Sequence, residues 1–463
     1  MYKRQLQGLR RAVERLRGAG KRVWVHLERA GVSEYYLASA AERVLLTPAA
    51  TLDVTGLSSE ALFLRQALER VGVAAEVIQV GRFKSAGEMF SRADMSPAHR
   101  EMLEALVDDL FEQVVAAVAA GRGLDAAAAR DALGRGPFTA AEAVQERLVD
   151  ATAYADQAEQ QLVDACRAGA PIEGGAYARQ RGRETRLAAL RQARHTVALL
   201  HIGGTIRPGE STTRPDGATA SGAASLAAML KDVRERADIA ALVLRVTSPG
   251  GSALASDLIW RELERTRAVK PVVASCGDVA ASGGYYVAMV GRPLLAEAGT
   301  ITGSIGVVAG KANLRGLYDR LGIHKELVGR GRNATLLSDY HALDAAGRAR
   351  LQAQADAFYR DFVGKVAAAR GLSADATEAS AQGRVWTGRQ ALALGLVDEL
   401  GGLEEAFDAV RRALGVAVDQ PLLIERLPRR KRWQLPRLNL GLPGSVFVRE
   451  RLWAVLPFRI RFF

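Results

Sequence analysis

The sequence predicts an α/β fold made of two copies of one domain, and three observations support this. The chain has 463 residues, of which 49% are hydrophobic and 25% charged, a globular composition with room for two or three domains. A long pattern recurs about halfway along the chain. In the second half, β-branched runs alternate with helical segments, which is typical of parallel βαβ units.

The repeated pattern is T-x-x-x-A-x-x-x-x-LVD, which begins at Thr139 and again at Thr387, 248 positions later. Three further pairs of segments match at or near this spacing, and their first residues are Val118 with Val366, Leu64 with Leu314, and Gly31 with Ala281. Together they give about 140 residues of parallel pattern, which predicts a tandem repeat. Chance similarity between alanine-rich helices is the weaker alternative.

The second copy has more sequence in front of it than the first. VALLHIGG from Val197 and IAALVLRVTSPGGS from Ile239 are predicted strands that end in glycine turns, with a helical pattern between them. Carried back by the repeat spacing, Pro249–Gly251 falls at the first residue, so we expect the first copy to lack its opening strands. The expected domains are residues 1–165 for the first repeat, 166–195 for a linker with a helical end, 196–418 for the second repeat, and 419–463 for a basic, aromatic tail.

The net charge of +12 is concentrated at the two ends of the chain. Residues 1–22 carry +7 and residues 426–463 carry +9, so the 403 residues between them carry −4. We therefore expect no nucleic-acid binding, which needs a basic face on the folded body. Basic ends fit an anionic membrane surface better. The tail mixes arginine with aromatic residues and proline, which indicates either an interfacial segment on a bilayer or an edge strand or oligomer contact.

Several classes of site and segment are not expected. The two cysteines, Cys166 and Cys276, form no CxxC pair, and no HExxH motif occurs, so we expect neither a metal nor a cofactor. No run of 18 apolar residues is present, and the first residues lack an apolar signal region. We therefore expect neither a transmembrane helix nor a secretory signal in this sequence.

The segment SCGDVAASGGYYVAM holds a candidate nucleophile. A predicted strand from Pro271 leads through small residues to a helix that should begin near Ser282. A serine at such a turn exposes its hydroxyl beside helix N-terminal amides, which favour developing negative charge. Gly283 and Gly284 permit close approach of a substrate. The alternative is that Ser282 only caps the helix and the glycines only pack.

The SPGG segment, Ser248–Gly251, could direct backbone amides toward an oxyanion, or could be an ordinary turn after a strand. A serine nucleophile also needs a base. The six histidines share no spacing with an acid, so a lysine with a pKa lowered by burial is the alternative base. The candidate is Lys84 in GRFKSAGE, directly after an apolar run, although most lysines lie on the surface.

Taken together, SPGG, GDVAASGGYY, TGSIGV from Thr302 and GRFKSAGE resemble the signal peptide peptidase A family of Ser-Lys proteases in its long two-domain form. The resemblance covers roughly residues 20–415. It implies tandem ClpP/crotonase-like domains, each a βαβ spiral core with flanking helices. The site residues that it implies are Ser282 as nucleophile, Lys84 as general base, the amides of Gly251 and Gly283 as oxyanion donors, and Ser304 as a hydrogen-bond partner of the lysine amine.

The same resemblance implies a membrane-associated serine endopeptidase that degrades signal-peptide remnants or other hydrophobic peptides through an acyl-enzyme. It also implies a ring-like homo-oligomer, a tetramer, at a bacterial cell membrane, with no cofactor. The family usually carries an N-terminal anchor and a complete first domain, and we expect both to be absent here. The basic tail is a candidate replacement for the anchor.

The sequences of the two repeats lack opposite halves of one catalytic pair. In the first repeat GVSE stands in place of ASGG, so Val32, or Ser33 with a slip of one residue, replaces the nucleophile. In the second repeat Arg332 stands opposite Lys84, and arginine does not give up its proton in proteins. This complementarity predicts one site shared between the repeats. The alternatives are a catalytically inactive paralogue acting as a scaffold or binding protein, and a crotonase-type acyl-CoA enzyme.

Overall fold

The structure, a computed structural model, describes residues 3–167, 169–213, 219–428, 452–455 and 459–461. Within these residues the fold is mixed α/β, and no helix is long and apolar enough to cross a membrane. Most of the predicted tail, residues 429–451, 456–458 and 462–463, lies outside the described residues.

The first half contains nine helices and eight strands among its described residues. The helices α1–α9 are Lys3–Gly18, Val32–Ala38, Arg65–Arg70, Glu88–Ser91, Pro97–Arg122, Ala126–Arg135, Ala140–Gln145, Ala155–Cys166 and Gly174–Gln192. The strands β1–β8 are Trp24–Leu27, Ala30–Gly31, Arg43–Leu46, Thr51–Asp53, Ser58–Glu60, Ala74–Val80, Phe138–Thr139 and Ala151–Thr152. A 3₁₀ turn, Ser85–Gly87, leads into α4.

The second half and the described part of the tail contain the remaining elements. The helices α10–α17 are Ala223–Glu235, Ala253–Arg267, Gly283–Ala288, Arg315–Arg320, Ala345–Arg370, Ala374–Ser380, Gly388–Ala393 and Leu403–Leu414. The strands β9–β16 are Thr196–Gly203, Thr205–Arg207, Thr212–Thr213, Thr219–Gly222, Ile239–Ser248, Gly250–Ser252, Val272–Ala281 and Leu294–Ala296. The strands β17–β23 are Ile301–Gly303, Val307–Asn313, Val385–Thr387, Glu399–Leu400, Leu423–Leu427, Leu452–Val455 and Arg459–Arg461.

The two halves repeat the same local structures. The long helices α5 and α14 have 26 residues each, and both end at a left-handed glycine, Gly123 with φ of 63° and Gly371 with φ of 65°. A buried tyrosine hydroxyl donates to a backbone carbonyl at the matching place in each half. The bonds run from Tyr35 to Leu148 at 2.7 Å and from Tyr285 to Leu396 at 2.8 Å. The repeat found in the sequence is thus a repeat of structure.

The second half has a larger sheet than the first. Its central strands β9, β13 and β15 are parallel neighbours, and nearly every residue of β13 and β15 is buried. Parallel strands that are covered on both faces have continuous apolar sequences. The segment IAALVLRV therefore lacks the alternation of apolar and polar residues that a half-exposed strand shows.

A second sheet joins the two halves. Its order is β11-β12-β10-β14-β22-β18-β6, and β6 comes from the first half. It pairs antiparallel with β18, from Val307 opposite Val80 to Asn313 opposite Ala74. This pairing brings the end of β6, just before Lys84, close to the start of β18.

The segment between the halves is more helical than expected. We predicted a linker over residues 166–195 with helix only at its end, but α9 begins at Gly174 and extends to Gln192. Arginine, alanine and glutamine are strong helix formers and outweigh three glycines within this stretch. The domain boundaries themselves stay predictions.

Helix α1 is docked through its arginines. Arg10 is 6% exposed, and its guanidinium donates to Ser39 Oγ at 2.8 Å and to the carbonyl of Ala117 at 2.7 Å. These partners lie in the first half of the chain. Part of the positive charge of the N-terminal segment is therefore buried and engaged in hydrogen bonds within the molecule.

The same helix also contacts the second half. Arg11 forms a bidentate pair with Glu297, whose side chain is nearly fully buried, and one of the two bonds joins Nη2 to Oε1 at 2.6 Å. Arg11 also lies 3.3 Å from Glu405, and Arg15 pairs with the exposed Glu404 at 2.8 Å. Helix α1 thus ties the two halves together.

We predict that Arg11→Met lowers the free energy of unfolding, because it leaves the buried Glu297 carboxylate without its cation. Removing one partner of a fully buried pair costs ~3–5 kcal/mol, and the partial exposure of Arg11 reduces our expectation to ~1–3 kcal/mol. Urea unfolding of the wild-type and variant proteins measures this loss in the free energy of unfolding. Arg15→Met, which breaks an exposed pair, is the matched control and should cost less than ~1 kcal/mol. Equal losses in the two variants would contradict the assignment.

Candidate active site

Ser282 lies at the junction between β15 and α12, where the sequence analysis expected it. Its φ is 56° and its ψ −118°, a strained conformation for a residue with a side chain. Its backbone is held on both sides, because its N–H donates to Gly303 at 2.7 Å and its carbonyl accepts from Tyr286 at 2.8 Å. Its side chain makes no capping hydrogen bond to α12, which argues against the helix-cap alternative.

The Ser282 hydroxyl instead contacts Lys84 from the other half of the chain. The Lys84 amine is fully buried and lies 2.8 Å from Ser282 Oγ. It also contacts two atoms of Ser304, the side-chain oxygen at 2.9 Å and the carbonyl oxygen at 3.1 Å. The structure therefore brings together three residues that lie far apart in the sequence.

Burial lowers the pKa of Lys84 to about 7, because a protonated amine loses its hydration there. All three contacts of the amine are to neutral oxygen atoms, so no carboxylate opposes this effect among them. An uncharged amine has two N–H groups and one lone pair. If the Ser304 carbonyl and hydroxyl accept the two N–H groups, the lone pair faces the Ser282 hydroxyl. The geometry then suits removal of the serine proton.

Ser304 is held by the backbone of the second repeat. It follows β17, is fully buried, and has a positive φ of 55°. Its N–H donates to the carbonyl of Arg384 at 2.7 Å. A serine in this strained region needs such support, since the conformation is otherwise unfavourable.

The turn that carries Lys84 packs tightly on a loop of the second half. The Phe83 N–H donates to the Gln382 carbonyl at 2.8 Å. Gly383 has φ of 74°, and a Cβ added there would lie 2.6 Å from Lys84 Cβ. The loop therefore needs glycine at this position, and it fixes the backbone of Lys84 against the half that carries Ser282.

The two glycines expected to supply oxyanion donors are adjacent. A Cβ added to Gly283 would lie 3.2 Å from the Gly251 nitrogen and 2.5 Å from Ser256 Oγ. Gly250 has φ of 102°, and a Cβ on Gly251 would lie 1.9 Å from the Ile206 carbonyl oxygen. Only glycine fits this close approach of backbones, which places the Gly251 amide next to the residue that follows Ser282.

The sequence analysis missed a buried cluster next to Lys84. His99 Nδ1 lies 3.1 Å from the Glu88 carboxylate, and Ser96 Oγ donates to the same carboxylate at 2.6 Å. Burial raises the Glu88 pKa, but hydrogen bonds from His99 and Ser96 outweigh it and lower the pKa below its ordinary value. This cluster joins α4, which follows the Lys84 turn, to the start of α5. The sequence pattern does not predict it, because Glu88 lies in α4 whereas Ser96 and His99 lie at the start of α5.

The corresponding positions of the other repeat are unlike this site. The matched tyrosine bonds of Tyr35 and Tyr285 align Val32 with Ser282, the first of the two expected alignments, and Val32 is buried. Arg332 is exposed in a turn, whereas Lys84 is fully buried. Within the described residues, no group of three or more metal-binding side chains occurs either.

Comparison with known proteins agrees with the sequence motifs. The model of the family described as "Peptidase family S49" matches residues 15–168 and again residues 264–417, so the tandem repeat is confirmed. The chain is 32% identical to "Serine protease SPPA, chloroplastic" of Arabidopsis thaliana over 452 residues, and 33% identical to "Protease 4" of Salmonella typhi over 416 residues. It is 28% identical to "Protease 4" of Haemophilus influenzae over 429 residues.

These alignments cover 96%, 88% and 88% of this chain but only 66%, 66% and 67% of the respective relatives. The chain thus spans about two thirds of their length. The family is nevertheless matched over more than half of the chain, in two separate copies. The resemblance to signal peptide peptidase A is confirmed, and the chain belongs to peptidase family S49.

Proposed function

We propose that this chain is a serine endopeptidase with a Ser-Lys dyad, in which Ser282 is the nucleophile and Lys84 the general base. The observation that carries the proposal is the 2.8 Å contact between a fully buried amine, whose three contacts are neutral oxygen atoms, and a serine hydroxyl at a strand-to-helix turn. The names of the relatives, serine protease and protease 4, support the same class of reaction.

The reaction follows from the positions of the groups. Uncharged Lys84 takes the proton of Ser282, and the oxygen attacks the scissile carbonyl carbon. The amides of Gly251 and Gly283 stabilise the oxyanion, and the protonated lysine donates its proton to the departing amine. Lys84 then removes a proton from water, and the water oxygen attacks the acyl carbon. The ester bond to Ser282 breaks, the acyl group leaves as a carboxylic acid, and the lysine returns the proton to Ser282 Oγ. Ser304 holds the amine in place through both of its oxygens.

The finer points of the proposal rest on the family resemblance. We propose substrates that are extended hydrophobic peptides such as signal-peptide remnants, two ClpP/crotonase-like spiral domains, and a ring-like homo-oligomer, a tetramer, at a bacterial cell membrane. Since Arg10 and Arg11 of α1 are engaged inside the molecule, the basic run at residues 429–432 is the stronger candidate for membrane contact. That run lies outside the described residues.

Two alternatives need no reactive serine. An inactive scaffold or a crotonase-type acyl-CoA enzyme would not require Ser282 to contact a buried lysine amine. Covalent labelling of Ser282 by a fluorophosphonate separates them from the protease, since neither predicts a reactive hydroxyl at this position.

We predict that Ser282→Ala and Lys84→Met each lower peptide hydrolysis by a factor of about 10³ or more, because each removes one half of the dyad. Lys84→Arg should be equally inactive, since a guanidinium stays protonated. Steady-state assays with a fluorogenic peptide measure the hydrolysis rate of each variant, and circular dichroism verifies that each variant is folded. Arg332→Ala, which changes the exposed counterpart of Lys84, is the matched control and should keep full activity. Substantial hydrolysis by folded Ser282→Ala protein would reject the dyad.

We predict that kcat/KM rises with pH through about pH 7, because the uncharged form of Lys84 is the active one and its pKa is about 7. For a single group of this pKa, the rate at pH 5 should be about 1% of the plateau. A pH–rate profile with a peptide substrate tests this. A profile that stays flat across this range, or rises only near the ordinary lysine pKa, would contradict the assignment.

We also predict a pH-dependent stability that Lys84→Met abolishes. The pKa of Lys84 falls from 10.5 to about 7 on folding, so between these values the unfolded chain binds more protons than the folded one. The free energy of unfolding should therefore rise with pH across this window, by up to ~5 kcal/mol for a shift of this size. Urea unfolding of both proteins at the two ends of the window measures the difference. Parallel pH dependence in the two proteins would show that Lys84 is not the cause.

A further inference from the structure

Arg384 belongs to the backbone that supports the two serines of the site. It directly precedes β19, and the next residue, Val385, pairs antiparallel with Gly303 of β17. The Arg384 carbonyl accepts the N–H of Ser304 at 2.7 Å, and the Gly303 carbonyl accepts the N–H of Ser282 at 2.7 Å. A shift of Arg384 would therefore move the strand ends that hold both serines.

The side chain of Arg384 contacts the turn of the first repeat that carries Lys84. Its guanidinium carbon lies 4.7 Å from the centre of the Phe83 ring and 4.6 Å from the centre of the Trp386 ring. Aromatic faces attract cations, and the planar guanidinium stacks well on them. Since Phe83 is 8% exposed and directly precedes Lys84, this guanidinium joins an aromatic ring of the lysine turn to one of the second repeat.

An ion pair orients the same guanidinium. Arg384 Nη1 donates to Glu101 at 2.9 Å, and Arg82 Nη2 donates to the other oxygen of this carboxylate at 3.1 Å. Glu101 lies in α5 of the first repeat, and its side chain is 45% exposed, whereas that of Arg384 is 18% exposed. Because exposed pairs contribute little to stability, we attribute to Glu101 the orientation of the guanidinium rather than a large share of the folding energy.

This contact lies close to the buried amine. Gly383, which precedes Arg384, packs so tightly that a Cβ added to it would lie 2.6 Å from Lys84 Cβ. Phe83 and Val385 belong to one buried apolar cluster between the two halves. Separation of the lysine turn from this loop would therefore open a path for water to the amine.

We propose that Arg384 is a positioning residue, whose side chain holds the Lys84 turn against the loop that holds Ser304 and so keeps the lysine amine free of water. The inference rests on the proposed Ser-Lys protease. Arg384 acts through Phe83 and the backbone of Ser304, not through a contact with the reacting atoms. Without the guanidinium the turn would loosen, and a hydrated amine binds its proton more tightly.

Arg384→Met tests the proposal, because methionine keeps an unbranched side chain and removes the guanidinium. We expect the midpoint of the pH profile of kcat/KM to rise by ~1 pH unit. At pH 7 this lowers kcat/KM about 5-fold, and at pH 9 the variant should be within about 10% of the wild-type protein. A merely structural loss would instead lower kcat/KM by the same factor at every pH, and that result would overturn the inference.

Arg389→Met is the matched control. Arg389 also joins the second repeat to α5, through an ion pair with Asp109 at 2.7 Å. We expect this variant to keep the midpoint of the wild-type protein. An equal rise in both variants would overturn the inference, because any break between the halves would then have the same effect.

A second measurement separates the inference from the proposed function. The carbon-13 NMR signal of Lys84 Cε, assigned by its loss in Lys84→Met, reports the protonation of the amine without any hydrolysis. Its midpoint should rise by ~1 pH unit in Arg384→Met and stay unchanged in Arg389→Met. If the wild-type protein hydrolyses no peptide, this rise would still support the positioning role while the proposed function fails. An unchanged midpoint in folded, active Arg384→Met protein would overturn the inference and leave the protease function intact.

Glu101→Gln provides a second variant should Arg384→Met fail to fold. It removes the charge that orients the guanidinium and changes a side chain that is partly in water. We expect the NMR midpoint to rise in the same direction. An unchanged midpoint in this variant would contradict the role of the ion pair in the proposal.

Discussion

The burial of one amine between the two repeats controls the rest of the site. Lys84 is fully enclosed, its contacts are two serines, and burial brings its pKa to about 7. Removal of water penalises the protonated form, and none of these contacts supplies a negative charge to compensate. Since Ser282 and Ser304 belong to the second repeat and Lys84 to the first, the protonation state of this amine depends on how the halves pack. Separation of the halves would hydrate the amine and return its pKa to the usual range of lysine.

The contacts around the site hold the two serines and the lysine turn in the positions that this packing requires. Ser282 and Ser304 both have positive φ values, and each such conformation costs about 1–3 kcal/mol unless the surroundings hold it. The backbone N–H groups of the two serines donate to the carbonyls of Gly303 and Arg384, which fixes them, and the close contact at Gly383 fixes the lysine turn. Because Arg11 also ties α1 to Glu297 of the second half, stability of the interface and geometry of the site arise from the same packing.

Local patterns explain how much of this was predictable from the sequence. The two repeats keep nearly the same spacing, so Val32 and Arg332 could be placed opposite Ser282 and Lys84. The serine was predicted separately, from the apolar run after Pro271 and the helix that follows it. The Glu88–His99 contact could not be predicted, because it forms between elements whose relative position no local pattern determines.

The pairing of β22 could not be predicted from the sequence for a different physical reason. A strand of four residues pairs through its backbone, so it leaves little trace in the choice of side chains. Its arginine-rich surroundings indicated a membrane segment or an edge strand, and the described residues favour strand pairing for this part of the tail. Since β22 pairs on one side with β14 and on the other with β18, it lies inside the sheet and is not an edge strand.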